Sequence, residues 1–277
     1  MGLSGVRTFN LARNEIINTA LRKLGVLSSG EVASGTHLAE AQQALNVMIQ
    51  DWQNEDIFLW TQSDDLQLLT ADTLSYSLDA NIIEISNVFF RHNGIDTVLT
   101  PLSREEYKAL ADKDLTGTPS RYYIDSQLAN PVLYLWPVYQ YSTKVATGTD
   151  ANKYLCTVDH ASSSDNKPIT GADYTDFWEL TTETATAWVT ATDYYSGVIR
   201  YTKLLRLQDF TVAGDNPDFP SRWLKAIIYG LMADLAPENA IRGQELRELK
   251  LEAEFLRMKA KNSNSESGNL QISPDMR

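Results

Sequence analysis

The spacing of apolar residues changes twice along this chain, and no other feature of the sequence constrains the fold as strongly. Residues 8–25 and 36–55 carry apolar side chains at helical spacing, and residues 57–138 carry them in short runs typical of strands. Helical spacing returns over residues 219–261. The pattern predicts an α+β protein that is mainly a helical bundle, with a small β-sheet formed by the middle of the chain.

The first two helices are predicted to form an antiparallel αα-hairpin, because only a short Ser/Gly-rich connection separates them. Gly25 suits the C′ position that ends the first helix, and Thr36 is the predicted N-cap of the second. The amide side chains of the second helix fall off its apolar stripe and are expected to face outward: Gln42, Gln43, Asn46, Gln50 and Gln53.

Short strands and one short helix are predicted for the middle of the chain. Ser103 and Glu106 have the spacing of a capping box, which predicts a helix over residues 104–112. The predicted strands are residues 57–69, 73–78 and 82–91, Arg121–Asp125 and Val132–Val138.

Residues 141–194 differ in composition from their surroundings, since they are rich in Thr, Ser, Asp and Ala and nearly devoid of Leu. We interpret them as an inserted β module that expands the loop between two neighbouring strands, Val132–Val138 and Gly197–Leu205. The predicted organisation is then a parent domain of residues 1–140 and 195–262, the module of residues 141–194, and a flexible C-terminal tail of residues 263–277.

The module carries three large aromatic residues, Tyr174, Trp178 and Trp188, that have two possible roles. Flat rings stack on sugar faces, so they could form an outward contact surface. A module of about fifty residues also needs large side chains to build a core, and the core interpretation is the favoured one.

The end of the chain gives the clearest sign of a partner. Residues 219–236 are apolar most of the way round the predicted helix, which predicts deep burial. The following helix, Arg242–Lys261, has two apolar stripes. The first could pack within its own subunit or at an interface, and the second is formed by Leu251, Phe255 and Met258. We predict that this second stripe, with Leu270 and Ile272 of the tail, contacts a neighbouring subunit or another protein.

Composition and motifs exclude several classes of protein. With 24 Lys and Arg against 36 Asp and Glu the net charge is −12, which argues against a protein that binds nucleic acid by neutralising phosphates. No apolar run is long enough to span a bilayer. No phosphate-binding loop, dinucleotide fingerprint, HExxH helix or nucleophile elbow is present, and the three histidines are expected at the surface. Cys156 and His160 are too few ligands for zinc, so we predict no enzyme, catalytic residue, cofactor or metal.

Five segments of the sequence are similar to the head-to-tail adaptors of short-tailed bacteriophages, also called tail accessory or packaged-DNA-stabilising proteins. They are Ile17–Glu31 (INTALRKLGVLSSGE), Ala39–Trp52 (AEAQQALNVMIQDW), Gly117–Tyr123 (GTPSRYY), Leu133–Pro137 (LYLWP) and Asp215–Trp223 (DNPDFPSRW). The resemblance lies in their order and spacing and covers residues 1–140 and 196–262. The inserted module departs from simpler adaptors and resembles a small tryptophan-bearing module of phage structural proteins, some relatives of which resemble carbohydrate-binding modules.

The resemblance implies a structural protein of the virion that lies at the head–tail junction and is assembled in the host cytoplasm. It implies a ring of twelve subunits under the portal protein, which retains packaged DNA and provides an attachment platform for a tail hub, tailspike or fibre protein. It also implies that the C-terminal helix and tail engage the portal. Because genomic DNA must pass through such a ring without sequence-specific binding, we expect carboxylates along the channel. Two alternatives stay open: a glycan-directed tail protein that binds or cleaves the cell wall, and a self-contained binding module that is a compact monomer and never associates with the portal.

Overall fold

The computed structural model describes residues 11–55, 59–127, 129–188 and 193–262. Six helices lie within these ranges, together with short 3-10 segments at Leu59–Thr61 and Ser221–Trp223. The helices are α1 (Arg13–Lys23), α2 (Gly35–Glu55), α3 (Arg104–Ala109), α4 (Tyr174–Phe177), α5 (Leu224–Leu235) and α6 (Gln244–Asn262).

Strands occupy most of the chain between α2 and α5. They are β1 (Gln62–Leu68), β2 (Ser75–Ser77), β3 (Ile82–His92), β4 (Ile95–Val98), β5 (Thr100–Pro101), β6 (Arg121–Asp125), β7 (Val132–Trp136), β8 (Val145–Thr147), β9 (Lys153–Cys156), β10 (His160–Ala161), β11 (Trp178–Thr181), β12 (Thr186–Ala187), β13 (Asp193–Tyr194) and β14 (Val198–Leu205).

The predicted fold class is wrong in its balance. The described residues are 32% helical and 27% strand, and the strands form four sheets, so the protein is a mixed α+β structure and not mainly a helical bundle. The reason is that the strand-rich middle builds two sheets of its own around a shared core and adds two more in the inserted segment. Packing of one helix against another involves α1, α2, α5 and α6, which lie at the two ends of the chain.

The chain divides into two compact units. One unit is Met1–Leu59 with Leu207–Arg277, and the other is Trp60–Arg206. The predicted module boundaries at residues 141 and 194 both fall inside the second unit. None of the helices described is long and apolar enough to cross a membrane.

Local signals set the ends of the helices in the first unit. Gly25 has φ +77°, and the amides of Gly25 and Val26 donate to the carbonyls of Arg22 and Leu21, which is a Schellman ending. The predicted stop at Gly25 is confirmed. The predicted cap at Thr36 is wrong, because α2 begins one residue earlier and the Ser34 hydroxyl accepts the His37 amide at 3.4 Å.

Helix α5 is the most buried helix of this unit, as its all-round apolar sequence predicts. Nine of its twelve residues are buried, including all of its predicted apolar face. It packs closely on α2 at Gly230, where an added Cβ would lie 2.6 Å from Met48 Sδ and 2.9 Å from a ring carbon of Trp52. Only glycine allows this approach of the two helices.

The amide side chains of α2 do more than face solvent. Asn46 donates to the Phe210 carbonyl at 3.1 Å and accepts the Phe210 amide at 3.0 Å, and Gln42 also donates to that carbonyl at 2.9 Å. Gln53 accepts the Leu207 amide at 3.2 Å. These side chains satisfy backbone N–H and C=O groups of Leu207 and Phe210, which form no strand hydrogen bonds. They therefore fix to α2 the segment of chain that follows β14.

Two four-stranded sheets share the main core of the second unit. Their strand orders are β1-β14-β3-β4 and β2-β7-β6-β5. Leu133 and Leu135 of β7 and Ile199 and Tyr201 of β14 are buried in one cluster. The expectation that β7 and β14 are neighbouring strands is therefore wrong, because they lie in different sheets that face each other across this core.

The predicted capping box of α3 is confirmed. The Ser103 hydroxyl accepts the Glu106 amide at 3.2 Å, and the Glu106 carboxylate accepts the Ser103 amide at 2.8 Å. Hydrogen bonds from the Ser103 amide and side chain to the Glu106 carboxylate, together with the charge of Arg121, hold the pKa of Glu106 below its ordinary value. The helix itself is shorter than predicted and ends at Ala109.

The inserted segment forms small sheets of its own. Strands β11-β9-β8-β12 make one sheet and β10 pairs with β13 in another. Ala146, Tyr154, Cys156, Trp178 and Tyr194 form the buried cluster beneath them. The segment thus has a core distinct from that of the two larger sheets.

Candidate assembly surface

Helix α6 divides its side chains between its own subunit and solvent. Ala253, Leu256 and Ala260 are buried on one face, and α6 makes its main contact with α5. The apolar residues at steps of three and four therefore serve the subunit core, as their spacing predicts.

The second stripe of α6 is exposed. Leu251, Phe255 and Met258 are 67%, 66% and 54% exposed. Three large apolar side chains on one side of a helix form a patch that the described chain does not cover, and patches of this kind mark interaction sites.

The helix that presents this stripe is held firmly at its middle. The Arg257 guanidinium binds the Glu55 carboxylate at 2.5 Å and lies over the Trp52 ring, 5.3 Å from its centroid. The Arg257 side chain is 18% exposed and the Glu55 side chain 56%, so the guanidinium is largely desolvated whereas its carboxylate partner stays largely in water. Trp52 in turn packs on Trp223 at 6.0 Å.

A groove of about 850 Å³ runs along this helix, between α2, α5 and α6. Its floor carries small apolar residues, and its walls carry six carboxylates against one lysine and one arginine. The acidic residues are Glu40, Asp51, Glu55, Asp234, Glu238 and Glu254, and the basic ones are Lys250 and Arg257. The sequence alone does not reveal this groove, because its walls come from α2, near the start of the chain, and from α5 and α6, near its end.

The carboxylates of the groove repel one another. Partial desolvation between the helices raises the pKa of Asp234 above its ordinary value, and although Lys250 opposes the shift, the Asp51 carboxylate adds to it. Negative charge is therefore concentrated here beyond what the groove's own cations balance.

The structure describes the predicted aromatic residues of the module but not the predicted contact residues of the tail. Leu270 and Ile272 lie outside the described residues. Trp178 is 5% exposed and its indole N–H donates to the Asn166 carbonyl at 2.7 Å, so its ring has no free face for a ligand. Tyr174 and Trp188 are partly buried against the same cluster.

A polar network in the second unit was also missed. The His92 Nε2 atom lies 2.7 Å from Asp159 Oδ2, and the Ser196 amide and hydroxyl both donate to Asp159 Oδ1, at 2.7 and 2.8 Å. The Asp159 amide donates to Asn93 at 2.7 Å. These bonds join the inserted segment to the turn after β3 and to the residue before β14, so His92 has a structural contact and is not simply a surface residue.

The Asp159 carboxylate is tuned by this network. Burial tends to raise its pKa, but the hydrogen bonds from His92 and Ser196 outweigh burial and hold the pKa below its ordinary value. Asp159 is therefore ionised at neutral pH, and Ser196 has the carboxylate and Asn93 as hydrogen-bond partners. No Ser–His contact of the kind used in nucleophilic catalysis exists within this network.

Cys156 and His160 lie close together inside the module. The Cys156 Sγ is 3.7 Å from His160 Nδ1, and His160 stacks on Tyr194 at 5.4 Å. Burial and, to a smaller extent, the Asp159 charge raise the pKa of the Cys156 thiol to about 12, so it is protonated and unreactive at neutral pH. No group of three or more potential metal ligands occurs in the part of the chain that the structure describes.

A cleft of about 720 Å³ in the second unit is lined by charged residues of both signs. Most of these charges have partners in the chain. Asp65 binds Lys203 at 2.8 Å, Arg91 binds Asp96 at 2.6 Å, and Asp64 accepts the Thr202 hydroxyl at 2.9 Å. These ion pairs and hydrogen bonds therefore give the charged lining of the cleft a role within the chain.

The comparisons with known proteins agree with the adaptor resemblance. The family model of the SU10 adaptor protein matches residues 14–271. None of the curated proteins gives a match. The family match covers both compact units and all five of the segments that resemble phage adaptors, so the predicted resemblance is confirmed. The chain therefore belongs to the SU10 adaptor protein family.

Proposed function

We propose that this protein is a structural head-to-tail adaptor whose copies form a ring beneath the portal of a phage virion. Its family supports the broader role of a phage adaptor. The observation that carries the proposal is the exposed stripe of Leu251, Phe255 and Met258 on a helix whose opposite face is used within the subunit. A partner that covers the stripe removes apolar surface from water and gains free energy from it.

In this arrangement the stripe of one copy meets the portal protein or the neighbouring copy at the head–tail junction. Twelve copies, the number that the adaptor resemblance implies, would close the ring. The ring retains packaged DNA and carries the tail hub, tailspike or fibre protein below it. The tail, with Leu270 and Ile272, would extend the contact with the portal.

The acidity of the chain supports a passive channel for DNA. With a net charge of −12, the protein has no surplus of cations to hold phosphates through counterion release. A wall of carboxylates lets the duplex slide past during packaging and ejection. Salt screens the repulsion between the wall and the DNA phosphates over a Debye length of about 8 to 10 Å.

We also propose that the role is mechanical and not catalytic. The only cysteine is buried with a raised pKa, and the carboxylate of Asp159 is occupied by His92 and Ser196. These groups serve packing and anchoring, which supports a protein that works by joining other proteins.

Light scattering of the purified protein, alone and mixed with portal protein from the same phage, tests the proposal. We expect the mixture to give a complex of defined mass that contains several copies per portal. A double variant, Leu251→Gln with Phe255→Gln, should lose this complex because it makes the stripe polar without changing its charge.

Val32→Gln is the matched control, because Val32 is an apolar side chain that is 66% exposed in the same unit and lies outside α6. We expect it to bind the portal as the unmodified protein does. Unchanged binding of the stripe variant would refute the role of the stripe, and failure of the unmodified protein to associate with portal would refute the adaptor placement. Clearing of cell wall by the purified protein would instead favour the glycan-directed alternative.

A further inference from the structure

The acidic groove and the exposed stripe are adjacent on α6. Successive residues of a helix are rotated by about 100°, so Ala253 on the buried face, Glu254 in the groove wall and Phe255 in the stripe follow one another around it. The groove therefore opens on the flank of α6 that lies between its buried face and the stripe. A partner that extends past the edge of the stripe would reach the groove.

The floor of the groove suits the close approach of a helix. Ala44, Ala233 and Ala253 lie along it, and small side chains let helix axes come within about 8 to 10 Å of one another. Val47 also lines the groove and is 61% exposed although it is apolar and branched. An exposed valine between alanines gives the floor an apolar contact that the described chain does not use.

The walls of the groove specify the charge of what it receives. Six carboxylates face two cations, and one of those cations, Arg257, already binds Glu55 at 2.5 Å. Asp51 and Asp234 carry like charges, and the Asp51 carboxylate adds to a rise in the pKa of Asp234 that comes mainly from desolvation. Lysine or arginine side chains from a partner would relieve this repulsion, whereas DNA or an acidic segment would increase it.

We propose that this groove receives an amphipathic helix of a partner protein, which packs apolar side chains on the floor and places lysine and arginine side chains against the acidic walls. The mode is that of a helix in a groove. The inference rests on the proposed function, because it describes the partner segment that lies beside the stripe. Electrostatic attraction would speed the encounter, and the apolar floor would hold the docked helix.

Site-directed crosslinking tests the proposal on the full chain. Val47→Cys places a reactive thiol in the groove, and the native Cys156 does not compete because it is buried and its pKa is raised to about 12. The thiol is labelled with a benzophenone maleimide, and the protein is irradiated in complex with portal protein. Mass spectrometry then identifies the crosslinked segment.

We expect a crosslink to a portal segment that has apolar residues at helical spacing and a surplus of lysine and arginine. Val32→Cys is the control, because Val32 is 66% exposed in the same unit but does not line the groove, and it should not label that segment. A crosslink to a second copy of this chain, a crosslink to an acidic segment, or no crosslink in a complex that has formed would each overturn the proposal.

A charge variant gives an independent measurement. Asp51→Asn with Glu254→Gln removes two exposed wall carboxylates, and we expect portal affinity to fall about three- to tenfold at low salt. The difference should disappear near 1 M salt, where the Debye length is about 3 Å. Equal affinity at low salt would count against the groove.

The two proposals fail in different ways. If the stripe variant abolishes the portal complex while the groove variants leave it intact, the adaptor placement stands and the groove inference is wrong. If the stripe variant has no effect, the proposed contact itself is wrong whatever the groove does.

Discussion

Two adjacent residues of α6 lie one in the exposed stripe and one on the face packed within the subunit. A substitution at each of them measures how the helix divides its side chains between assembly and folding. Phe255 is 66% exposed in the stripe, whereas Leu256 is buried on the face packed against the subunit. Replacing each with alanine removes a large apolar side chain and keeps a good helix former at the position. The pair should separate folding from assembly.

The magnitudes follow from where each side chain lies. Full burial of a phenylalanine is worth about 1.5 to 3 kcal/mol, and since 66% of Phe255 remains exposed, a partner gains about 1 to 2 kcal/mol by covering it. Phe255→Ala should therefore weaken portal binding roughly five- to thirtyfold and change the free energy of unfolding by less than about 0.5 kcal/mol. Leu256→Ala should lower the free energy of unfolding by about 2 to 4 kcal/mol, because it leaves a cavity.

Chemical denaturation of the isolated protein and a titration against portal protein measure both effects. The expected result is opposite in the two variants: lost affinity with preserved stability for Phe255→Ala, and lost stability for Leu256→Ala. The reasoning fails if Phe255→Ala destabilises the isolated protein as much as Leu256→Ala does, since that would place Phe255 in the subunit core.

Four further substitutions test the packing described above. Gly230→Ala should lower the melting temperature, because overpacking against α2 costs about 1 to 3 kcal/mol and exceeds the gain in helix propensity of about 1 kcal/mol. Gly35→Ala is the control: no atom lies within 4 Å of its added Cβ, so this variant should raise the melting temperature. Asp159→Ala should destabilise the protein at pH 7 by roughly 2 kcal/mol, because the buried Ser196 loses its acceptor. Because the pKa of Asp159 is lower in the folded state than in the unfolded state, its full contribution to the free energy of unfolding is present above the unfolded pKa, near pH 4. That contribution declines as the pH falls through the lower folded pKa. Urea denaturation should therefore show that the variant loses less stability below about pH 4 than the unmodified protein does. Trp178→Phe should lower the melting temperature by removing a buried hydrogen bond worth about 1 kcal/mol, and an unchanged melting temperature would contradict its place in the module core.

Some elements could be predicted because their signals are local. The Schellman ending at Gly25 and the capping box at Ser103 depend on residues a few positions apart, so the sequence contains all of the partners. The stripe of α6 was also visible, because residues three and four apart share a helix face whatever surrounds them. The cap of α2 was misplaced by two residues, since Ser34 and Thr36 both suit that position and only the backbone path selects Ser34.

The sheets could not be predicted in the same way. The sequence predicts strands at Val132–Val138 and Gly197–Leu205, but apolar alternation shows which face of a strand is buried and not which strand lies beside it. The choice of partner depends on distant segments such as β1 and β3, which flank β14 in the folded chain. For the same reason the amount of β-structure was underestimated.

The sequence by itself determined where helices and strands form, which side of α6 is left over for a partner, and that the chain is similar to phage adaptors. Only the tertiary structure decided what Asn46, His92 and Asp159 bind, and that carboxylates from three separate helices line one groove. The physical reason is the distance along the chain over which each interaction acts. Helical periodicity and end-capping act over a few residues, whereas hydrogen bonds between distant segments and the summed field of a groove exist only after folding has brought those segments together.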